Sequence, residues 1–173
     1  MDSGYSVYEQ LVISAKKRRD IWPSREVAYD WFANRWPWKF WDKRELNLYV
    51  KYGLHDLPTR TYPDRTDGVT LACTRIQEAS GYIYYQDGID SLDRLSELCS
   101  IIPVHCILGD RVEVVSDDIR EATVDPAQGR KMASIITIDD SGHAAVQEHP
   151  EVVGDAVWKI LISITSTNRA SRL

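Results

Sequence analysis

One histidine, His143, stands in surroundings that suit acid–base chemistry. An apolar run from Ile135 to Ile138 is followed by Asp139-Asp140-Ser141-Gly142 and then by this histidine. We expect a strand that ends at residue 138, a tight turn that Gly142 permits because it lacks a Cβ, and an imidazole at the strand's carboxyl end. Such an imidazole is a candidate general base. The alternative is a loop histidine with no chemical task.

A parallel pair of strands is expected to position this histidine. Residues 102–108 form a near-continuous apolar segment, which is typical of a strand buried on both faces. Helical patterns over residues 117–123 and 126–133 separate it from the strand over 135–138, so strand, crossover and strand form one βαβ unit. Pro150 and Glu151 then begin a final helix, because proline and an acidic residue are both favoured in a first helical turn.

The first half of the chain has mainly helical patterns. Apolar spacing predicts a first helix that ends near residue 22, a second capped by Ser24, and a third that begins at Asp42 and ends at Gly53. The other predictions here are a capping-box pair of Ser6 and Glu9, a loop over 55–68, a short strand over 69–72, a helix over 74–81 capped by Thr74 with Gln77, and a helix from residue 90 or 91.

Tryptophan is concentrated in this helical half. Five of the six tryptophans fall there, namely Trp22, Trp31, Trp36, Trp38 and Trp41. This density exceeds what small helices need for packing, so we expect part of this surface to line an apolar ligand pocket or to pack on a neighbouring domain. The alternative is that these side chains simply form the core.

Charge and cysteine content exclude several classes of protein. A formal charge of -5 leaves no surplus of basic surface for phosphates, so we expect no nucleic-acid partner. The basic run from Lys16 to Arg19 is interpreted as a solvated helix face, with an anion-binding patch as the alternative. We expect no membrane span, metal or cofactor, because no apolar run is long enough and the cysteines and histidines lack ligand spacing. These residues are Cys73, Cys99, Cys106, His55, His105, His143 and His149.

Together these segments resemble the C-terminal half of an α/β-hydrolase. The stretches SAKKRRDIWPSREVAYDWF, YVKYGLHDLPT, TYPD, GVTLAC, QEA and the closing GHAAVQEHP are similar to the fungal peroxisomal α/β-hydrolases of host-selective toxin biosynthesis. The resemblance implies an α/β class with a partial α/β-hydrolase fold. Its parts are a helical cap over 1–88 and, over 89–170, a small parallel sheet remnant with flanking helices. Ser171-Arg172-Leu173 is a variant of the peroxisomal S-K-L address, which implies peroxisomal localisation and an import receptor as partner.

The resemblance also implies catalytic roles, and it makes the tryptophan-rich surface the substrate pocket for an apolar, acyl-type small molecule. In this family the histidine comes last, after a serine and an acid, and the acid follows the penultimate strand. The common G-x-x-D spacing from Gly109 leads to Val112, which cannot hold an imidazolium. A variant of this spacing with one more residue makes Glu113 the expected acid for His143, and Asp110 is the alternative. A third interpretation makes both of them solvated loop acids.

The serine nucleophile has no counterpart in the sequence. No G-x-S-x-G motif and no HGGG-type oxyanion loop occur, and by the family's order the chain starts after the sixth strand. We expect a family role in toxin or secondary-metabolite biosynthesis, on an ester, thioester or epoxide of a fatty-acid-like intermediate, with this chain inactive alone. The alternatives are a truncated gene copy, a misplaced start codon, or a non-catalytic module that binds an apolar ligand or partner. Unpaired strand edges also predict self-association.

Overall fold

The computed structural model describes residues 7–84 and 86–170. The predicted cap residue Ser6 and the tripeptide Ser171-Arg172-Leu173 therefore lie outside the described residues. The chain forms two compact units, residues 1–90 and residues 91–173.

The first unit combines helices with a small antiparallel sheet. Its described helices are Val7–Lys17 (α1), Arg25–Ala33 (α2), Lys43–Tyr52 (α3) and Arg75–Ile83 (α4), and its strands are Ile21–Trp22 (β1), Leu54–Asp56 (β2) and Val69–Leu71 (β3). The strand order is β1-β3-β2. Ser24 caps α2, Asp42 caps α3, and Thr74 with Gln77 forms a capping box at α4, as predicted. These polar caps fix where each helix begins.

Two predictions for this unit are wrong because strand pairing overrides the local pattern. The first helix ends at Lys17 rather than near residue 22, since Trp22 pairs with Val69 in the antiparallel sheet. The first residues of the predicted loop over 55–68 belong instead to β2, where His55 pairs with Thr70. Helix α4 also continues past Gly81 to Ile83. Strands of two or three residues are too short to show the alternation of apolar and polar residues from which a strand is predicted.

Aromatic side chains form the core of the first unit. Trp22 and Phe32 are fully buried with ring centroids 5.1 Å apart, and Trp38 lies 4.8 Å from Phe32. Trp31 and Trp41 pack against this cluster, whereas Trp36 remains 48% exposed. Trp22 and Trp38 thus belong to the buried core of this unit.

The basic run at the end of α1 is only partly solvated. Lys16 and Lys17 are exposed, but Arg18 is half-buried and forms a two-pronged ion pair with Glu78 of α4. The Arg18 guanidinium also lies 5.3 Å from the centre of the Trp38 ring, within cation–π range. The expectation of a fully solvated face is therefore corrected at this residue, which links α1 to α4 and to the core.

The second unit contains a parallel pair of strands. Its described elements are most of Gln86–Cys99 (α5), then His105–Gly109 (β4), Asp117–Thr123 (α6), Ser134–Ile138 (β5), Ala145–Glu148 (α7) and Pro150–Ala170 (α8). Cys106 pairs with Ile135 and Leu108 with Thr137 in parallel register. The predicted βαβ unit and final helix are thus observed.

The bounds of these elements differ from the prediction in physically understandable ways. Helix α5 begins at Gln86 rather than at residue 90 or 91. Strand β4 starts at His105 because Ile102 still belongs to the turn after α5, donating its N–H to the Leu98 carbonyl at 2.9 Å. The expected helix over 126–133 shrinks to the turn Pro126–Gln128, which Gly129 ends in a left-handed conformation with φ 84°. Strand β4 is half-buried, not buried on both faces.

Two further features of the described residues bear on the cysteine and membrane expectations. Cys73, Cys99 and Cys106 are free thiols, of which Cys73 is exposed and the other two are half-buried. No helix within residues 7–84 and 86–170 has both the length and the apolarity that a bilayer span requires.

Candidate functional site

The carboxyl edge of the β4–β5 pair brings two loops together. Gly109 and Ile138 are the last paired residues of the two strands, and because the strands are parallel and adjacent, the loops that follow them leave at the same edge. The Asp110 N–H donates to the Ile138 carbonyl at 3.1 Å, and the Arg111 N–H donates to the Ser141 carbonyl at 2.9 Å. The segment after β4 is thereby joined to the histidine loop.

The imidazole of His143 and the carboxylate of Glu113 meet at this edge. The Nδ1 atom of His143 lies 3.3 Å from Oε2 of Glu113. The Glu113 side chain is 9% exposed and the His143 side chain is 36% exposed. His143 lies in the turn before α7 and not inside a helix. A neutral ring with its proton on Nδ1 donates to Glu113 and carries its basic lone pair on Nε2, which is the tautomer a general base needs.

Glu113 is ionised at neutral pH despite its burial. Burial by itself raises the pKa of a carboxyl group, but the hydrogen bond and charge of Arg111, followed by those of His143, outweigh it and hold the pKa of Glu113 below its ordinary value. The same ion pairing raises the pKa of Arg111, chiefly through its hydrogen bond to Glu113. A carboxylate of this kind can orient an imidazole and stabilise the imidazolium that forms when the ring takes up a proton.

Asp110, the alternative acid, holds the backbone of the histidine loop. Its Oδ1 atom accepts the Ser141 N–H at 3.2 Å. The backbone N–H of Asp140 lowers the pKa of Asp110 most; burial opposes it, and the backbone N–H of Ser141 adds to the lowering. Val112, where the common spacing would place the acid, is 53% exposed. The geometry therefore favours Glu113 as the partner of the ring.

Arg111 and Glu148 are parts of the site that the sequence analysis did not assign. The Arg111 guanidinium donates from Nε to Glu113 Oε1 at 2.6 Å and from Nη2 to Glu148 Oε2 at 2.6 Å. Glu148 lies in α7 with a side chain that is 2% exposed, and its Oε2 also accepts the Gly142 N–H at 3.1 Å. The sequence carried no direct signal for this pair, because the burial of Glu148, which demands a charged partner, appears only in the folded chain.

Two glycines make room for this arrangement. A Cβ on Gly142 would overlap the Glu113 carboxylate and approach Glu148 Oε1 to 2.9 Å, and a Cβ on Gly109 would overlap the backbone carbonyls of Ser141 and Gly142. Both loops can therefore approach each other this closely only because the two positions lack side chains. The tight turn falls on Asp139 and Asp140, with Asp140 at φ 54°, so the prediction that Gly142 permits this turn is corrected: its lack of a side chain leaves space for the two acids.

The remaining predicted site residues lie elsewhere. The five tryptophans of the expected substrate pocket all belong to the first unit, and their role in binding a ligand stays a prediction. Within the described residues, no group of three or more His, Cys, Asp and Glu side chains is arranged to hold a metal ion.

Comparison with solved structures shows the fold. The crystal structure of an E-2-(acetamidomethylene)succinate hydrolase matches 90% of this chain with a TM-score of 0.67 and 13% sequence identity. The predicted class is thereby confirmed: the chain has part of the α/β-hydrolase fold, in a mixed arrangement of helices and small sheets. The match covers 52% of the solved chain, so this protein spans about half the length of its structural neighbour.

Sequence comparison gives a shorter match. No family model matches the chain. A type I acyl-CoA thioesterase, mpaH, from Penicillium roqueforti (strain FM164) is 49% identical over 47 residues, which is 27% of this chain and 10% of that protein. The chain thus matches only about a tenth of the thioesterase's length. Together the two comparisons show an α/β-hydrolase fold and one short stretch of sequence that is similar to a thioesterase.

Proposed function

We propose that this chain supplies the acid–base part of an α/β-hydrolase that cleaves acyl thioesters. The observation that carries the proposal is the 3.3 Å contact between His143 Nδ1 and Glu113 Oε2 at the carboxyl edge of β4 and β5. The similarity to an acyl-CoA thioesterase supports a thioester in preference to the ester and epoxide alternatives.

The proposed reaction assigns one role to each residue. His143 Nε2 removes the proton of a serine hydroxyl, whose oxygen attacks the thioester carbonyl carbon. The tetrahedral intermediate then collapses, the C–S bond breaks, and the imidazolium returns its proton to the departing thiolate. Water attacks the acyl serine with His143 as the base again, which releases the carboxylic acid. Glu113 orients the ring throughout and stabilises its charged form.

The attacking serine is assigned to a polypeptide segment other than this sequence. The sequence contains no G-x-S-x-G motif, and the strand–turn–helix context of that motif is what exposes a serine nucleophile in this fold. We therefore expect the isolated chain to release no free thiol from acyl-CoA above the buffer rate. Turnover by the isolated chain that disappears in a His143→Ala variant would overturn this assignment.

A chimaeric enzyme tests the proposal directly. The nucleophile-bearing part of the mpaH thioesterase would be joined to this chain, and hydrolysis of a long-chain acyl-CoA would be followed by thiol release. We expect turnover that falls by about 10²–10⁴ in the His143→Ala variant, the usual contribution of a general base. His55→Ala is the matched control, because His55 is exposed and belongs to the first unit. Equal loss in both variants would contradict the proposal.

A role in fungal toxin or secondary-metabolite biosynthesis in the peroxisome is the finer part of the proposal. Its support is the similarity of the first-unit stretches to the toxin-biosynthesis hydrolases and the tripeptide Ser171-Arg172-Leu173. A fluorescent protein that ends in residues 160–173 should enter peroxisomes, and the same fusion without Leu173 should stay outside. Uniform distribution of both fusions would argue against this localisation.

A second candidate function, a non-catalytic binding module, is favoured by the apolar surface of the second unit. Ile101, Ile135 and Trp158 are 74%, 50% and 63% exposed, and among the described residues β4 and β5 pair only with each other. Exposed apolar side chains and open strand edges favour association. Sedimentation velocity should then show concentration-dependent self-association that Trp158→Glu weakens. A single monomeric species at every concentration would remove the support for this candidate.

A further inference from the structure

We propose that Arg111 is the positioning residue that holds the His143 imidazole and the Glu113 carboxylate in contact with each other. The inference rests on the proposed function, because it concerns the same pair of side chains. Arg111 follows β4, two residues before Glu113, and its side chain is 24% exposed. Its contacts reach both members of the pair, directly on one side and through the backbone on the other.

The direct contact fixes the acid. Arg111 Nε donates to Oε1 of Glu113 at 2.6 Å while Oε2 of the same carboxylate faces His143 Nδ1. Each carboxylate oxygen thus has its own partner, and the plane of the carboxylate is held from the side opposite the ring. A guanidinium suits this task because its donors have fixed directions, whereas the lysine ammonium acts as a point charge.

The indirect contacts fix the histidine. Arg111 Nη1 donates to the Asp140 carbonyl at 2.9 Å, and the Arg111 main-chain N–H donates to the Ser141 carbonyl at 2.9 Å. Arg111 Nη2 binds Glu148, whose Oε2 accepts the N–H of Gly142, the residue just before His143. Three consecutive residues before the histidine are therefore tied to Arg111 or to its ion-pair partner.

The backbone conformation of the histidine loop and the charge of the buried acids explain why the contacts of Arg111 are needed. Asp140 has φ 54°, a left-handed conformation that non-glycine residues adopt only at an energetic cost. Glu113 and Glu148 are buried acids with side chains 9% and 2% exposed, and buried carboxylates require a charged partner. The other titratable groups that face the cluster are His143, His149, whose Nε2 lies 3.2 Å from the Asp140 carbonyl, Asp110, which accepts the Ser141 N–H, and Asp140, whose Oδ1 lies 3.6 Å from Arg111 Nη1.

The imidazole tautomer of His143 provides a test that requires no turnover. Nitrogen-15 NMR of the wild-type chain should show the Nδ1–H tautomer in about tenfold excess, as one directed hydrogen bond to a carboxylate would give. This excess should largely disappear in Arg111→Met, and also in Arg111→Lys, which keeps the positive charge but lacks the planar guanidinium and its directed donors. Arg120→Met is the matched control, because Arg120 is a similarly covered arginine that donates to the Asp110 carbonyl. An unchanged tautomer ratio in Arg111→Lys would overturn the proposal.

Two further readouts separate positioning from folding and from the proposed function. NMR cross-peaks between protons of β4 and β5 show whether each variant keeps the pairing of these two strands. In the wild type itself, the Arg111 Nε–H should exchange with solvent at least about tenfold more slowly than the Nε–H of the exposed Arg94, because a hydrogen-bonded donor is protected. Fast exchange at Arg111 would overturn the proposal even if the variants failed to fold. A normal tautomer response in a chimaera without thioesterase activity would refute the proposed function and leave the role of Arg111 standing.

Discussion

His143 Nδ1 and Glu113 Oε2 lie 3.3 Å apart although 30 positions separate the two residues in the sequence. The parallel pairing of β4 with β5 produces this contact, because it sends the two loops out of the sheet at the same edge. The pair is therefore a product of the fold as much as of the residue types. Substitutions that disturb the loops should disturb the pair without touching either side chain.

Substitution of Gly142 should disturb the loop most directly. A Cβ at this position would overlap the Glu113 carboxylate and crowd Glu148, so Gly142→Ala should lower the free energy of unfolding by about 1–3 kcal/mol through overpacking. Gly154→Ala is the matched control. Gly154 lies in α8 with open space around it, and alanine there should stabilise the chain by about 0.5–1 kcal/mol. Urea unfolding measures both values, and a destabilised Gly154→Ala with a neutral Gly142→Ala would contradict this account of the loop.

The pH dependence of stability should reveal the buried Glu113. Its pKa in the folded chain lies below the ordinary value of 4.5, so the unfolded chain binds a proton at this group more readily than the folded chain. Its contribution to stability is complete above the ordinary value and is lost as the pH falls through the lower, folded value. Between pH 7 and pH 4, the wild type should therefore lose more free energy of unfolding than Glu113→Gln.

The uncharged substitution Val112→Ala is the control for that experiment. Val112 is 53% exposed and adjoins Glu113, so its truncation should leave the slope of stability against pH at the wild-type value. Urea titrations at both pH values supply the slopes. Parallel slopes for the wild type and Glu113→Gln would show that this carboxylate titrates alike in the folded and unfolded states.

The aromatic core of the first unit predicts a large difference between two tryptophans. Trp22 is completely buried among Trp31 and Phe32, so Trp22→Ala should cost about 3–5 kcal/mol of unfolding free energy. Trp158 is 63% exposed on α8, and Trp158→Ala should change that free energy by no more than about 0.5 kcal/mol. Thermal unfolding followed by circular dichroism would compare them. Similar costs for both would argue that Trp22 is not a core residue.

The parts of the fold that were predictable are those with strong local signals. The apolar run before Gly109 and the run before Asp139 indicated β4 and β5, and side-chain caps such as Ser24 and Asp42 marked the helix starts. Strands β1 and β2, of two and three residues, were missed, whereas β3, which is also three residues long but buried throughout, was predicted. Strands this short are defined by pairing with β3, and pairing across the chain leaves no periodic trace in the sequence.

The candidate site shows the same division between local and distant information. His143 was identifiable from its strand and turn, whereas the choice between Glu113 and Asp110 depended on the path of the loop after β4. Arg111 was missed because its partners Asp140 and Glu148 lie 29 and 37 positions away. A basic residue next to a candidate acid is common on protein surfaces, so only the folded arrangement reveals its role.

The central claim is that His143 and Glu113 act as one catalytic pair, and the kcat of the chimaeric thioesterase carrying Glu113→Gln tests it most directly. Loss of the carboxylate charge removes the group that orients the ring and stabilises its protonated form, so kcat should fall by about 10²–10⁴. Asp110→Asn should change kcat far less, because the asparagine Oδ1 can still accept the Ser141 N–H that holds the loop. Full activity in Glu113→Gln together with a large loss in Asp110→Asn would contradict the account.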